Sequence, residues 1–172
     1  MNTRATASPA LPIAHVVLRG LILLNWVAGG LIFVLLVGMP TSLWIRTALK
    51  VPEDDPVIFG LQTIAFLGLI AIPLNALILK RLLAIVETVR AGDPFVAVNA
   101  RRLQTIAWML CALQVISMII GGIVRVISSP EHPLKFNAGF SISGWLAVLL
   151  TFLLARVFAE GASMRDDLEG TV

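Results

Sequence analysis

The run LILLNWVAGGLIFVLLV, residues 21–37, decides how this chain folds. Twelve of its residues are Leu, Ile, Val or Phe, and Asn25 is the only one with an amide or charged side chain. On the membrane-insertion scale those twelve contribute about −4 to −7 kcal/mol, enough to outweigh Asn25. We therefore expect a first membrane-spanning helix over about residues 16–39. A cleaved signal peptide is the rival interpretation, which the length of the apolar core and the poor cleavage site at 37–39 disfavour.

The rest of the chain has the same apolar character. Of its 172 residues 58% are hydrophobic and only 13% are charged, with a mean hydropathy of +0.95. A soluble domain of this length needs far less apolar material. Three further runs predict spans over about 57–79, 103–127 and 138–155, each close to the ~20 residues that cross a bilayer. The predicted fold is a single all-α integral membrane domain, 1–172, built as a four-transmembrane-helix bundle.

The segments outside the spans are short. They are an N-terminal tail over 1–15, a loop over 80–102 and a C-terminal helix and tail over 156–172. Apolar residues at helical spacing from Leu82 to Val89 predict that the second helix continues beyond its span, and the fourth is expected to do the same. Gly92 is expected to stop the second helix, and Asn99 to cap a third helix that starts at about residue 100.

The distribution of lysine and arginine predicts the orientation. Nine of the 13 basic residues fall on one side of the predicted membrane and four on the other. By the positive-inside rule, the side with nine is cytoplasmic. Both termini and loop 80–102 then face the cytosol, and helices two and four extend into it. The nine residues are Arg4, Arg19, Lys80, Arg81, Arg90, Arg101, Arg102, Arg156 and Arg165.

The spans contain few residues that could perform chemistry. No charged residue lies at mid-depth, which disfavours proton-coupled transport. No nucleotide-binding, hydrolase or metalloprotease motif is present, Cys111 is the single cysteine, and His15 and His132 fall on opposite sides of the membrane. We therefore predict no enzyme activity, no metal and no cofactor. Because the basic residues flank the spans, direct binding of nucleic acid is not expected.

A sparse set of uncharged polar residues lies within the spans. Such side chains commonly form hydrogen bonds between helices, and glycines let helix backbones approach each other. Packing is therefore the favoured interpretation of this set, with a path for a polar solute as the alternative. Its main members are Asn25, Gln62, Asn75 and Gln114.

Two stretches carry a resemblance to a known family. The run Val89-Arg90-Ala91-Gly92-Asp93-Pro94-Phe95 with Asn99, Arg102 and Leu103, and the ending from Phe158 to Val172, resemble the YoaS-like bacterial membrane proteins, domain of unknown function 2975. The resemblance implies a small four-helix protein of the bacterial inner membrane, often encoded beside a small helix-turn-helix regulator. It offers no catalytic residues, and the acidic tail is spaced differently here.

The leading hypothesis is a non-enzymatic regulator that binds a cytosolic helix-turn-helix transcription factor. Its basic loop and acidic tail are expected either to form a salt-sensitive clasp or to be solvated independently. The alternatives are a small transporter or channel for a neutral or lipidic solute, with Pro73 and Asn75 along its path, and an accessory or assembly subunit of a membrane complex; homo-oligomers are left open. The candidate residues for partner binding or a structural turn are Arg90, Gly92, Asp93, Pro94, Phe95, Asn99, Arg101, Arg102, Asp166, Asp167 and Glu169.

Overall fold

Four long helices make up the fold. The computed structural model describes residues 10–41, 47, 56–128 and 138–169. The helices are α1 (Ala10–Thr41), α2 (Pro56–Arg90), α3 (Ala97–Ile127) and α4 (Ile142–Glu169). Each is long and apolar enough to cross a membrane. The predicted all-α fold with four candidate spans is confirmed, while the tail residues 1–9, His132 and residues 170–172 lie outside the described part of the chain.

The end of α2 agrees with the predicted boundary, whereas the starts of α3 and α4 differ from theirs. α2 continues without interruption through Pro73 to Arg90, as the spacing of its apolar residues predicts. α3 begins at Ala97 with Val96 as its N-cap, so the assignment of Asn99 as the cap is wrong. α4 begins at Ile142, four residues after the predicted start, because the Ser141 hydroxyl accepts a hydrogen bond from the Gly144 N–H at 3.1 Å and caps the helix there.

Packing follows the order of the chain. α1 packs on α2, α2 on α3 and α3 on α4, and within the described residues no contact joins α1 to α3 or α4, or α2 to α4. Neighbouring helices are antiparallel, since residues early in one helix meet residues late in the next, as in the contact of Gly60 of α2 with Ile127 of α3. One end of the bundle therefore holds the start of α1, the loop 91–96 and the end of α4. We call it the loop end.

Eight of the shielded residues of α1 recur in alternating steps of four and three. This is the seven-residue repeat with which two helices pack through a single seam. The remaining side chains of α1 are largely exposed, including large apolar ones such as Leu23, Trp26 and Leu31. Such a surface suits hydrocarbon rather than water. The residues of the seam are Leu11, His15, Leu18, Ile22, Asn25, Gly29, Ile32 and Leu36.

The buried core lies towards the loop end. Ile78 of α2, Leu103 and Ile106 of α3, and Ala155 of α4 form a buried cluster, with Phe158 among the side chains packed against it. Because the cluster draws on three helices, it joins the α2–α3 and α3–α4 contacts into one unit. The loop 91–96 is built on top of this unit.

A hydrogen-bonded junction as the candidate functional site

The end of α2 is closed by a glycine motif. Gly92 has a φ of +87°, which only glycine adopts without strain. The Gly92 N–H donates to the Val89 carbonyl and the Asp93 N–H to the Thr88 carbonyl, both at 3.1 Å. This pair of bonds is the Schellman arrangement, which satisfies the last carbonyls of a helix. The predicted stop at Gly92 is therefore present, and it turns the chain sharply towards α3.

Asn99 is the centre of the junction between α2 and α3. Its side chain is fully buried, although it lies in the first turn of α3. The Nδ2 atom donates to Thr88 Oγ1 at 2.7 Å and to the Pro94 carbonyl at 2.9 Å. The amide thus binds both the preceding helix and the loop. A buried amide is costly unless it is paired, so these bonds fix the loop against α2.

Arg102 completes this network from one turn further along α3. One of its terminal nitrogens, Nη1, donates to Asn99 Oδ1 at 2.8 Å and to the Ala84 carbonyl of α2 at 3.0 Å. The Thr88 hydroxyl in turn donates to the Ile85 carbonyl at 2.7 Å. Charge-assisted bonds of this kind are stronger than neutral ones. We call Thr88, Asn99 and Arg102, with the backbone groups that they bind, the junction.

The loop also contacts α4. The rings of Phe95 and Phe158 are tilted against each other with centroids 5.2 Å apart. Gly161 leaves room for this contact, since a Cβ there would lie 3.0 Å from Phe95 Cδ1. Asp93 forms an ion pair with Arg165, and both side chains are more than a third exposed. The loop is therefore held from one side by α2 and from the other by α4.

The ion pair has the opposite polarity to the predicted clasp. The prediction joined basic loop residues to the acidic tail, whereas here the acid belongs to the loop and the base to α4. Asp167 is exposed on α4, and the side chains of Asp166 and Glu169 lie outside the described part of the chain. The loop and the C-terminal helix do meet, but through an ion pair that the distribution of charges in the sequence did not identify.

A family model matches the part of the chain that contains this site. The match covers residues 83–172, and the family is described as a protein of unknown function, DUF2975. This chain belongs to that family. The matched residues include the end of α2, the loop, α3 and α4, and hence the whole junction. No curated protein and no solved structure matches the chain.

The four intramembrane polar residues lie in different settings, and only Gln114 falls within the DUF2975 match. Asn25 of α1 donates from Nδ2 to the Ile72 carbonyl of α2 at 3.0 Å, which joins the two helices. Gln62 is half-buried on α2. Asn75 and Pro73 are exposed on α2, so they do not line an interior path between the described helices.

Gln114 lies deep in the contact between α3 and α4. Its amide fills the space over Gly144, where a Cβ would overlap its Nε2 atom. Its Oε1 atom is buried without a hydrogen-bond partner among the described residues. Nearby, the Ser117 hydroxyl bonds to the N–H and carbonyl of Gly139, each at 3.3 Å. These contacts show that small residues position the start of α4. In the sequence, Ser141 and Gly144 at the start of the apolar run could have indicated this role.

Metal-ligating residues are not grouped in the described part of the chain. Within residues 10–41, 56–128 and 138–169, no three His, Cys, Asp or Glu side chains are close enough together to hold a metal ion. Cys111 is partly buried in α3.

Proposed function

We propose that this protein is a non-enzymatic membrane regulator whose loop end binds a small cytosolic helix-turn-helix transcription factor. The observation that carries the proposal is the buried Asn99, whose bonds to Thr88 and Pro94 hold the loop in one conformation. A loop fixed in this way binds a partner without paying the cost of ordering itself. The residues that the family model matches contain the entire junction.

The charge at the loop end indicates the kind of surface the partner presents. Among the described side chains at or near this end, seven exposed bases outnumber four acids that are at least a third exposed. Opposite charges across an interface steer encounter and fix orientation. We therefore expect the regulator to bind through an acidic face. This face is separate from the surface with which the regulator binds DNA. The bases are Arg19, Lys80, Arg81, Arg90, Arg101, Arg156 and Arg165, and the acids are Glu87, Asp93, Glu160 and Asp167.

The proposal places the loop end in the cytosol of a bacterial cell, with the protein in the inner membrane. The support is the excess of lysine and arginine at that end. Single cysteines at Ala91, which is exposed in the loop, and at Asp54, in the segment between α1 and α2, test it in a Cys111→Ser background. An impermeant thiol reagent added to intact cells should label the second cysteine and not the first. Labelling at position 91 from outside contradicts the orientation.

Co-purification tests the binding itself. The chain and a small helix-turn-helix regulator encoded beside it are expressed together and purified in mild detergent. Arg90→Glu reverses an exposed charge beside the loop and should weaken binding by about tenfold, as loss of a charge pair worth ~1.4 kcal/mol does. Arg125→Glu reverses an exposed charge at the other end of α3 and is the matched control.

Two results refute the partner. One is the absence of any complex when both proteins are folded and the regulator is in excess. The other is an equal loss of binding in the Arg90 and Arg125 variants, which shows that net charge and not the loop end determines binding.

A further inference from the structure

A groove separates α3 from α4 beside the junction. It has a volume of about 460 Å³ and is open along one side. The groove is deep because its walls carry small side chains. Ala97 on α3 and Ala159 on α4 leave the backbones of the two helices uncovered. The floor is formed partly by Ala100 and Ala155, which are buried. Polar and aromatic groups stand at its rim, namely Arg101, Gln104, Phe152 and Arg156.

Two arginines on different helices face this groove. Arg101 of α3 and Arg156 of α4 both line it, and both are exposed. Arg156 donates through Nε to Glu160 at 2.7 Å, and its terminal nitrogens form no other hydrogen bond within the described residues. Two guanidinium groups against one carboxylate leave the groove with a net positive charge. Planar guanidinium groups bind phosphate oxygens in pairs, which an ammonium group does not.

The groove lies at the boundary between the charged and the apolar parts of α3 and α4. Arg156 directly follows the apolar stretch 142–155 of α4, and Arg101 and Gln104 directly precede the apolar stretch of α3. One turn beyond Gln104, Trp108 meets Phe152 edge to face with ring centroids 5.3 Å apart. Trp108 is exposed there. A molecule seated between the arginines therefore has an apolar aromatic wall on its membrane side.

We propose that this groove binds one anionic glycerophospholipid. The phosphate lies between Arg101 and Arg156, the Gln104 amide is in position to bond the glycerol or ester oxygens, and an acyl chain follows Trp108 and Phe152 into the bilayer. The groove offers charge at one end and apolar surface at the other, which is the pattern of a phospholipid and not of a soluble anion. Basic pockets between membrane helices hold lipid headgroups in this way.

Lipid binding to the full chain in mild detergent tests the site. Native mass spectrometry compares phosphatidylglycerol with phosphatidylcholine that carries the same acyl chains. The wild type should prefer phosphatidylglycerol by about tenfold, since both lipids carry the phosphate but the choline cation of phosphatidylcholine cancels its charge and is repelled by the two guanidinium groups. The double variant Arg101→Gln/Arg156→Gln should lose that preference. Arg81→Gln removes an exposed charge outside the groove and should keep it.

A second variant tests the shape of the groove without changing its charge. Ala159 is exposed on the groove wall, so Ala159→Leu should fill the space and weaken phosphatidylglycerol binding even if the double arginine variant does not fold. The proposal is overturned if the folded double variant keeps the preference, if Ala159→Leu leaves phosphatidylglycerol binding unchanged, or if Arg81→Gln loses the preference equally. Full displacement of the lipid by excess glycerol phosphate also overturns it, because the site then recognises a soluble phosphate.

Discussion

The N-terminal half of this protein, formed by α1 and most of α2, and the C-terminal half, from the end of α2 through α4, are held together by different forces. α1 and α2 meet along a mostly apolar seam, in which the Asn25 amide bonds to the Ile72 carbonyl and His15 Nδ1 lies 4.0 Å from Glu87 Oε1. The second half contains the junction around Asn99, the Phe95–Phe158 contact, the Asp93–Arg165 pair and the Ser117–Gly139 bonds.

This difference affects how specifically the helices of each half pair with one another. Lipid tails are as apolar as leucine, so an apolar seam gives helices little reason to prefer each other over lipid. Hydrogen bonds between buried groups do give such a preference, because they have defined partners and directions. The half that the family model matches is thus the half with the specific polar contacts.

The largest expected effect comes from removing the centre of the junction. Asn99→Ala leaves the donors of Arg102 and the Pro94 carbonyl without this partner, and we expect the free energy of unfolding to fall by about 2–4 kcal/mol. Unfolding in mixed detergent micelles, followed by the circular dichroism of the helices, measures it. Asn75→Ala is the control, since that amide is exposed and an exposed change should cost less than about 0.5 kcal/mol. Equal effects would show that the junction is not a stabilising centre.

Paired glycines provide a sharper comparison between the halves. A Cβ on Gly121 would lie 2.6 Å from the Gly139 Cα, a backbone atom that cannot move aside easily. Gly121→Ala should therefore lower the free energy of unfolding by about 1–3 kcal/mol. Its neighbour Gly122 has open space at that position, so Gly122→Ala should leave stability unchanged when both are measured in the same micelle assay.

The same substitution in the α1–α2 seam should have a smaller effect. A Cβ on Gly29 would meet Ile72 Cγ2 at 3.0 Å, less close than the 2.6 Å backbone approach at Gly121, and on Gly30 it would meet nothing. Gly29→Ala should thus fall between the other two variants. If it proves more damaging than Gly121→Ala, the seam is the more tightly packed interface, and the contrast between the halves is reversed.

The smallest effect is expected for the polar contact of the seam. Asn25→Leu removes one hydrogen bond between α1 and α2, which is worth about 0.6 kcal/mol in membrane proteins. A double-mutant cycle on that bond is not available, because its acceptor is a backbone carbonyl. Crosslinking of cysteines placed at Leu18 and on α2 measures the separation of the two helices instead, and it should change little. Complete dissociation of α1 from α2 would show that the Asn25 hydrogen bond determines the specific pairing of these two helices.

The four helices could be predicted from sequence because a membrane span is recognised from the average hydropathy of about twenty residues. The end of α2 at Gly92 was also predictable, since a positive φ favours glycine strongly. The start of α4 was predictable in principle from Ser141, a hydroxyl residue directly before an apolar run, but the apolar character of residues 138–140 obscured it.

Asn99 shows why the site was harder to predict. Asparagine before an apolar run is a common helix cap, and the sequence therefore placed the cap there. The amide instead bonds to Thr88 on the preceding helix, eleven residues away, and Val96 takes the cap position without a side-chain bond. The ion pair of Asp93 with Arg165 joins residues 72 positions apart. Neither partner follows from local spacing, because both depend on how three helices pack.

The order of packing has a consequence for biosynthesis. Since each helix contacts only its neighbours in sequence among the described residues, every interface joins segments that leave the ribosome one after the other. Structures dominated by such local contacts assemble quickly, and a chain made from its N-terminus can settle piece by piece. Each new helix can dock against the one inserted just before it, and no earlier helix has to be displaced to admit it.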